Sequence, residues 1–427
     1  MSTLDPLMDD CFSHQKGLLL HDDAIAMLAE RLGPVAGMET VHLGDALGRY
    51  AAENVSAPRN VPSKDNSAVD GFAFAYSDYA QSRKLKLGPR IAAGDAGDPS
   101  LPAGTAARIF TGAVVPDGAD TIAMQEHCTV SDDASTVMLA DGLEKGANRR
   151  LSGEDVTAGS LLISHSHLLR PQDIAALASV GIAQLSVFKR LRIAIASTGN
   201  ELMDVAAAAS TASVQTFDTN RPMLKALCND LPIEITDLGI LRDDADAVAT
   251  TLSQAARNND IILTSGGASS SDADHIVRTI DRLGKRHLWK IAIKPGRPMT
   301  FGQIGDCVLL GLPGNPVAAF VCFLLYFRPA VRILGGGGYR EPVRLLVPAG
   351  FRIAEKKTGR REFLRGWLEA DRRIGTVARK FEPDGSGLIT GLRKADGLIE
   401  LDENTRTVAP GDRVTYLPFS QFGISGG

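Results

Sequence analysis

Residues 260–316 constrain the fold more than any other part of the chain. The stretch reads DIILTSGGASSSDADHIV, then WKIAIKPGRPMTFG, then CVLLGLPGNPVAAF. Three apolar, strand-like runs (IILT, KIAI, CVLL) each empty into a turn rich in Gly and Pro. An open parallel sheet builds its ligand sites in this way, with strand ends supplying loops and helix N-termini offering unpaired N–H groups to anions. Asn315-Pro316 reads as an N-cap followed by Pro at the first helical position, which leaves the 311–314 backbone facing outward. The expectation is a phosphate-bearing ligand along one edge of a sheet.

The flanking sequence places that edge in a larger plan. From Arg192 onward, strands alternate with helical patterns: LRIAIAST, NRPMLKALCND, PIEITDLGIL, DADAVATTLSQAARN and DIILTSGG. Such alternation predicts a parallel α/β sheet over roughly 190–334. The four glycines at 335–338 read as a linker, and 340–427 return to short alternating strands of a small β-barrel or sandwich. Upstream, 15–32 carry helical spacing and 43–50 suggest a short helix. The interval 71–142 alternates short apolar runs with turns, as a small β module does. A helix over 171–180, opened by Pro and closed by Gly181, reads as a return to the first module, so the β-rich part is an insertion. The expected domains are 1–64 with 145–190, elongated; 65–144, β-rich and inserted; 191–334, α/β; and 339–427, a C-terminal β-barrel.

Composition removes several function classes. With 427 residues, 44% hydrophobic and 22% charged, the chain reads as an ordinary globular protein. A net charge of −4 without a Lys/Arg stripe argues against nucleic acid as partner. The opening MSTLDPLMDDCF is acidic and lacks the pattern of a secretory signal. The apolar run 317–327 stops at Arg328, short of the ~18–20 residues a membrane span needs, so a buried helix and no membrane are expected. Five scattered cysteines without CxxC favour a reducing cytoplasm over zinc or a disulfide framework. His165 and His167 lack a third nearby ligand and read as surface residues.

Several clusters suggest chemistry. Gly199 and Glu201 follow one strand; Ser265, Gly266 and Gly267 form the turn after another. Asp272 and Asp274 open the next helix, where capping accounts for them, although carboxylates there also suit magnesium near a phosphate. Lys290 and Lys294 lie four apart, on one face if the run is a strand, and Lys294 precedes Pro-Gly where an ammonium would meet phosphate. Neither GxGxxG nor GxxxxGK[ST] occurs, so a dinucleotide fold and a P-loop are unsupported. Turn chemistry explains Asn66-Ser67 and Asp117-Gly118, yet not the recurrence of acidic residues at three such junctions.

Taken together these motifs form a pattern. DNSAVDGFA (65–73), TGAVVPDGAD (111–120), RRLSGED (149–155), STGNEL (197–202), DTNRPML (218–224), SGGASSSDAD (265–274), WKIAIKPGRP (289–298) and GLPGNP (311–316) resemble the molybdopterin molybdenumtransferases and the related domain of gephyrin. GRREFLRG and GSGLITGLRKADGLIEL extend the likeness towards the C-terminus. The resemblance implies an elongated protomer of α/β and β domains, with a central parallel α/β molybdopterin-binding domain, a β-rich insert and a terminal β-barrel. It also implies a cytoplasmic homodimer in which the insert of one copy faces the α/β domain of the other. The implied reaction takes adenylylated molybdopterin and molybdate, cleaves the phosphoanhydride with Mg2+, and yields molybdenum cofactor and AMP. The implied partners are the molybdopterin adenylyltransferase and molybdoenzyme maturation proteins.

Carried over by position, Asp65, Thr111, Asp155, Glu201, Asp243 and Asp274 are the expected catalytic residues. Glu201, Asp243 and Asp274 are the expected metal ligands. Ser265, Gly266, Gly267, Lys290, Lys294, Pro313, Gly314 and Pro316 are the expected pterin-phosphate set. Two positions depart from the family, which usually has Asp at Asn200 and Gly at Ser271. A non-catalytic cofactor carrier and a molybdopterin adenylyltransferase are the alternatives; the long flanking domains argue against the second.

Overall fold

The computed structural model describes residues 18–95, 100–207, 216–266, 275–383, 385 and 387–424. Its centre is a six-stranded sheet built from β1 (Leu191–Thr198), β2 (Ile233–Leu241), β3 (Ile261–Ser265), β4 (Lys285–Lys290), β5 (Pro298–Ile304) and β6 (Cys307–Leu312). The order is β2-β1-β3-β6-β5-β4. The first four run parallel, β5 runs antiparallel to β6, and the edge strand β4 is antiparallel to β5. The sheet is therefore mixed where the alternation of strands and helices predicted a purely parallel one. The tight turn at Asp306 folds β5 back on β6 as a hairpin, which needs no crossover helix.

Helices cover both faces. Ala245–Asn258 begins where the Asp244 carboxylate accepts from the Asp246 and Ala247 amides, and it buries Val248, Ala249, Leu252 and Ala255. On the other face, helical structure runs from Pro316 to Leu334, predominantly apolar and mostly buried inside the protein. The buried helix expected over 317–327 continues past Arg328, and its 19 residues reach the length of a membrane span that the apolar run alone lacked. Residues Phe323–Phe327 form a wider turn just before Pro329, which has no N–H to donate. Arg328 reaches out of the apolar surface to pair with Asp230 at 2.9 Å.

The run KIAI, expected as one strand, is divided between two sheets. Lys290 ends β4, and Leu19 then bridges the chain through Leu19 N to Lys290 O (2.9 Å) and Ala292 N to Leu19 O (2.7 Å). Ile293–Lys294 pairs in parallel with Arg361–Glu362 and so joins the C-terminal sheet. That sheet continues through Gly397–Leu401, Arg413–Pro418 and Leu345–Pro348. Lys290 and Lys294 consequently do not share a strand face.

Upstream, Met38–His42 pairs with Gln184–Phe188, and Val55–Ser56 with Leu161–Ile163. Between them in sequence lies another six-stranded sheet, which includes Gly71–Phe74, Thr105–Ile109 and Thr121–Met124. Only Leu43–Asp45 is helical in the expected 43–50 helix, because Gly48 adopts φ +73° and turns the chain. The glycines at 335–338 are more than a linker. Cβ atoms at Gly336 and Gly337 would overlap the rings of Phe188 and Tyr50, so close packing on the first module requires glycine there.

Candidate functional site

Three strand ends are held level. Ser197 is in register with Ser265, and Ser265 with Leu312, so the loops starting at Gly199, Gly266 and Pro313 leave the sheet side by side. Gly266 has φ +87°, its N–H donates to Leu312 O at 3.0 Å, and a Cβ there would lie 2.9 Å from Thr198 O. Only glycine fits both the conformation and the approach. Ser265 is buried, and its Oγ accepts from Asn220 Nδ2 at 2.6 Å. The same nitrogen donates to Gly314 O at 2.7 Å. Asn220 thus ties two of the loops together.

Asn220 carried no individual role in the sequence reading, although it belongs to DTNRPML. It shares a buried helix face with Leu224, four residues on, and a polar side chain on such a face must find partners. Neighbouring residues of the motif are also structural. Ser197 Oγ donates to buried Asp218 at 2.9 Å, and Arg221 joins Asp218 (3.1 Å) to Asp237 (2.7 Å). Burial alone would raise the Asp237 carboxyl, but hydrogen bonds from Lys225, Gly239 and Arg221 bring it down to about 2.

The loops open into a cleft of 470 Å³. Gly266, Pro313, Gly314 and Asn315 line one wall; Lys294, Arg360, Phe363, Arg365 and Phe381, in or beside the C-terminal sheet, line the other. Pro316 opens the helix behind Asn315, so unpaired N–H groups point towards the cleft. Lys294 Nζ lies 3.4 Å from Glu362 Oε1. Arg365 is buried, donates to Leu388 O and Pro383 O at 2.7 Å each, and stacks 4.9 Å from the Phe381 ring centroid. Two backbone carbonyls thus accept from its guanidinium and fix its orientation. Arg297 and Arg360 also line the cleft and make no ion pair among the described residues. The cleft is therefore cationic, with apolar patches, and suited to an anion on a planar body. Its arginine wall falls within GRREFLRG, a motif noted in sequence without residue roles.

The other expected residues lie elsewhere. Lys290 does not line the cleft. Glu201 and Asp243 are exposed on the loops after β1 and β2. Asp243 N donates to Asn200 Oδ1 at 3.1 Å, and Asn200 N to Asp243 Oδ2 at 3.3 Å. Gly267, Ser271, Asp272 and Asp274 lie outside the described residues, among which no three His, Cys, Asp or Glu side chains form a metal cage. In the inserted region, Asp65 accepts from Ser152 N at 2.7 Å and lies 3.3 Å from the Arg149 guanidinium. It lines a separate cleft of 330 Å³ with Ser63, Lys64 and Asp117. Thr111 donates from both N and Oγ1 to Asp70 at 2.8 Å, holding that carboxyl below its ordinary range. Asp155 is exposed, and its amide donates to Val61 O at 3.1 Å.

Comparison with known proteins addresses the whole chain. Residues 20–181 match the MoeA N-terminal region (domain I and II), 194–333 a probable molybdopterin binding domain, and 347–419 the MoeA C-terminal region (domain IV). A molybdopterin molybdenumtransferase of Haemophilus influenzae is 34% identical over 404 residues, covering 94% of this chain and 99% of that protein. The chain belongs to the molybdopterin molybdenumtransferase family. A family member from Nostoc is 36% identical over 318 residues, 72% of each chain. The solved molybdopterin biosynthesis MoeA protein of Pyrococcus horikoshii OT3 superposes with a TM-score of 0.80 at 26% identity, covering 94% of this chain and 100% of that one. On this family's plan, the cationic cleft lies between the segment matching the molybdopterin binding domain and the one matching the C-terminal region.

Proposed function

We propose that this protein inserts molybdenum into molybdopterin, taking adenylylated molybdopterin and molybdate and releasing molybdenum cofactor and AMP. One observation carries the reading: Gly266, Pro313 and Gly314 converge from separate loops on one cleft that Lys294, Arg360 and Arg365 also line. The substrate carries a phosphate and an anionic dithiolene, and molybdate is itself an oxyanion. Bringing these anions together requires fixed positive charge, which Lys294, Arg360 and Arg365 supply together with loop and helix-end N–H groups. The apolar faces of Phe363 and Phe381 give the flat pterin a surface and keep water from it.

Glu201 and Asp243 offer an oxygen-only donor set, exposed on neighbouring loops, and this fits Mg2+. With Asp274 they would hold the ion, which when bound would polarise phosphoanhydride oxygens. Asp65, Thr111 and Asp155 belong, on this reading, to the facing half of the site, contributed by a second copy in a homodimer. The reaction is assigned to the cytoplasm, in keeping with free Cys128, Cys228, Cys307 and Cys322. A molybdopterin adenylyltransferase would supply the substrate, and molybdoenzyme maturation proteins would receive the product.

The test incubates the protein with adenylylated molybdopterin, molybdate and Mg2+, measuring AMP and the reactivation of an apo-molybdoenzyme. AMP release that depends on molybdate, with reactivation, is the expected result. Binding without molybdate-dependent turnover would make it a carrier, and pyrophosphate release from ATP would make it an adenylyltransferase.

A further inference from the structure

A second cavity, of 300 Å³, lies where the modules meet and shares no lining residue with the cationic cleft. Tyr50 and Leu168 come from the first module, Leu231 and Leu324 from the α/β module, and Phe422 from the C-terminal end. The segment entering the C-terminal sheet closes the cavity with Arg340 and Glu341. Most of this wall is apolar, yet Arg328, Arg332 and Arg340 all face the space.

The charges do not balance inside it. Of the carboxylates in the wall, Asp230 is taken by Arg328 at 2.9 Å, and Glu341 by Arg344 at 2.7 Å, outside the cavity. Among the described residues, neither Arg332 nor Arg340 makes an ion pair. Arg332 is half-buried, with its guanidinium carbon 5.5 Å from the Tyr50 ring centroid. Its Nε donates to Gly337 O (3.1 Å) and Gly338 O (2.9 Å), which accounts for the orientation of the guanidinium. The two Nη groups make no hydrogen bond among the described residues. Burial and the neighbouring Arg340 and Arg328 act against its charge. A guanidinium half out of water without a counter-ion is costly, and an anion placed before it recovers that cost.

We propose that this junction cavity binds an organic anion, a phosphate or carboxylate head on an apolar body. The head group would face the Nη groups of Arg332 and the Arg340 guanidinium, and the body would lie against Tyr50, Leu231 and Leu324. The volume sits at the lower end of small-molecule sites, which limits the body to about one ring.

The experiment titrates the full-length protein calorimetrically with phenyl phosphate, benzoate and inorganic phosphate. Saturable binding of phenyl phosphate or benzoate, at least tenfold tighter than inorganic phosphate, is expected, and the tighter of the two identifies the head group. Arg340→Glu, at an exposed position, should weaken it at least tenfold, and Lys294→Ala should leave it unchanged. Arg332→Met, if it folds, should abolish it. No binding by either aromatic anion, equal binding of inorganic phosphate (an adventitious ion only), an unaffected Arg340→Glu protein, or loss in Lys294→Ala would each overturn the proposal.

Discussion

Lys294 and Glu362 are partners twice over: their backbones are in parallel register, and Nζ stands 3.4 Å from Oε1. Both residues belong to the C-terminal sheet, and Lys294 lines the cationic cleft. Glu362 is largely buried and Lys294 about half exposed, so the pair positions the ammonium while leaving it reachable by a ligand.

Lys294→Ala should therefore weaken molybdopterin binding by about tenfold, or ~1.4 kcal/mol. Glu362→Gln should leave binding equal or tighter, because it frees the ammonium while preserving shape. The Kd values of the two variants and the double variant, measured by calorimetry, decide this. Weaker binding by Glu362→Gln alone would show that the ammonium needs its partner more than the ligand needs the ammonium.

Gly266→Ala must place a Cβ against the Thr198 carbonyl in a left-handed conformation. The expected loss is at least ~1–2 kcal/mol, read as a lower urea midpoint at unchanged m. Molybdopterin binding should fall further than stability does, since the clash lies at the cleft wall. A variant with the native midpoint and native affinity would contradict this geometry.

Asn220 donates into two loops, so Asn220→Ala strands Ser265 and the Gly314 carbonyl, at a cost of ~1–3 kcal/mol. Asn220→Asp has nearly the same shape, but it presents a carboxylate to an acceptor in a buried place and should cost at least as much. Thermal melts of the two variants provide the comparison. Tolerance of Asp would mean that the amide is not the donor.

His21 is buried, with Nδ1 2.8 Å from the Tyr326 hydroxyl and its ring against Phe363. Burial, reinforced by Arg361 and Arg344 and opposed by Asp22, lowers its pKa from 6.5 to about 3. Below pH 6.5 the unfolded chain takes up a proton that the folded one refuses. Stability is thus full above that pH and falls towards about 3, by at most ~1.4 kcal/mol per pH unit. His21→Asn should flatten the slope between pH 6.5 and 5, above the carboxylate range, in urea titrations at each pH. An unchanged slope would show that His21 is protonated in the folded state.

Much of the site was legible because its backbone demands are local. SGG and GLPGNP announce turns at strand ends, and Asn315-Pro316 announces a helix start, whatever the rest of the chain does. Lys294 was legible for the same reason, standing just before Pro-Gly. Its separation from Lys290 was not, because KIAI has equal claim to two sheets and Leu19, some 270 residues away in sequence, decides between them. Arg360 and Arg365 were visible only as part of a motif, since nothing local says that a C-terminal strand will stand opposite the GLPGNP loop.

The sequence by itself determined the alternation of strands and helices, the turns that open the loops, and the membership of a family through motifs spread along nearly the whole chain. Tertiary structure alone decided which loops share a cleft. It also decided that Asn220 ties those loops together, and that Lys294 serves the C-terminal sheet rather than the central one. The physical reason is range. Turn and capping preferences act over a few residues, whereas burial, charge pairing and strand register are settled by whatever the fold brings into contact.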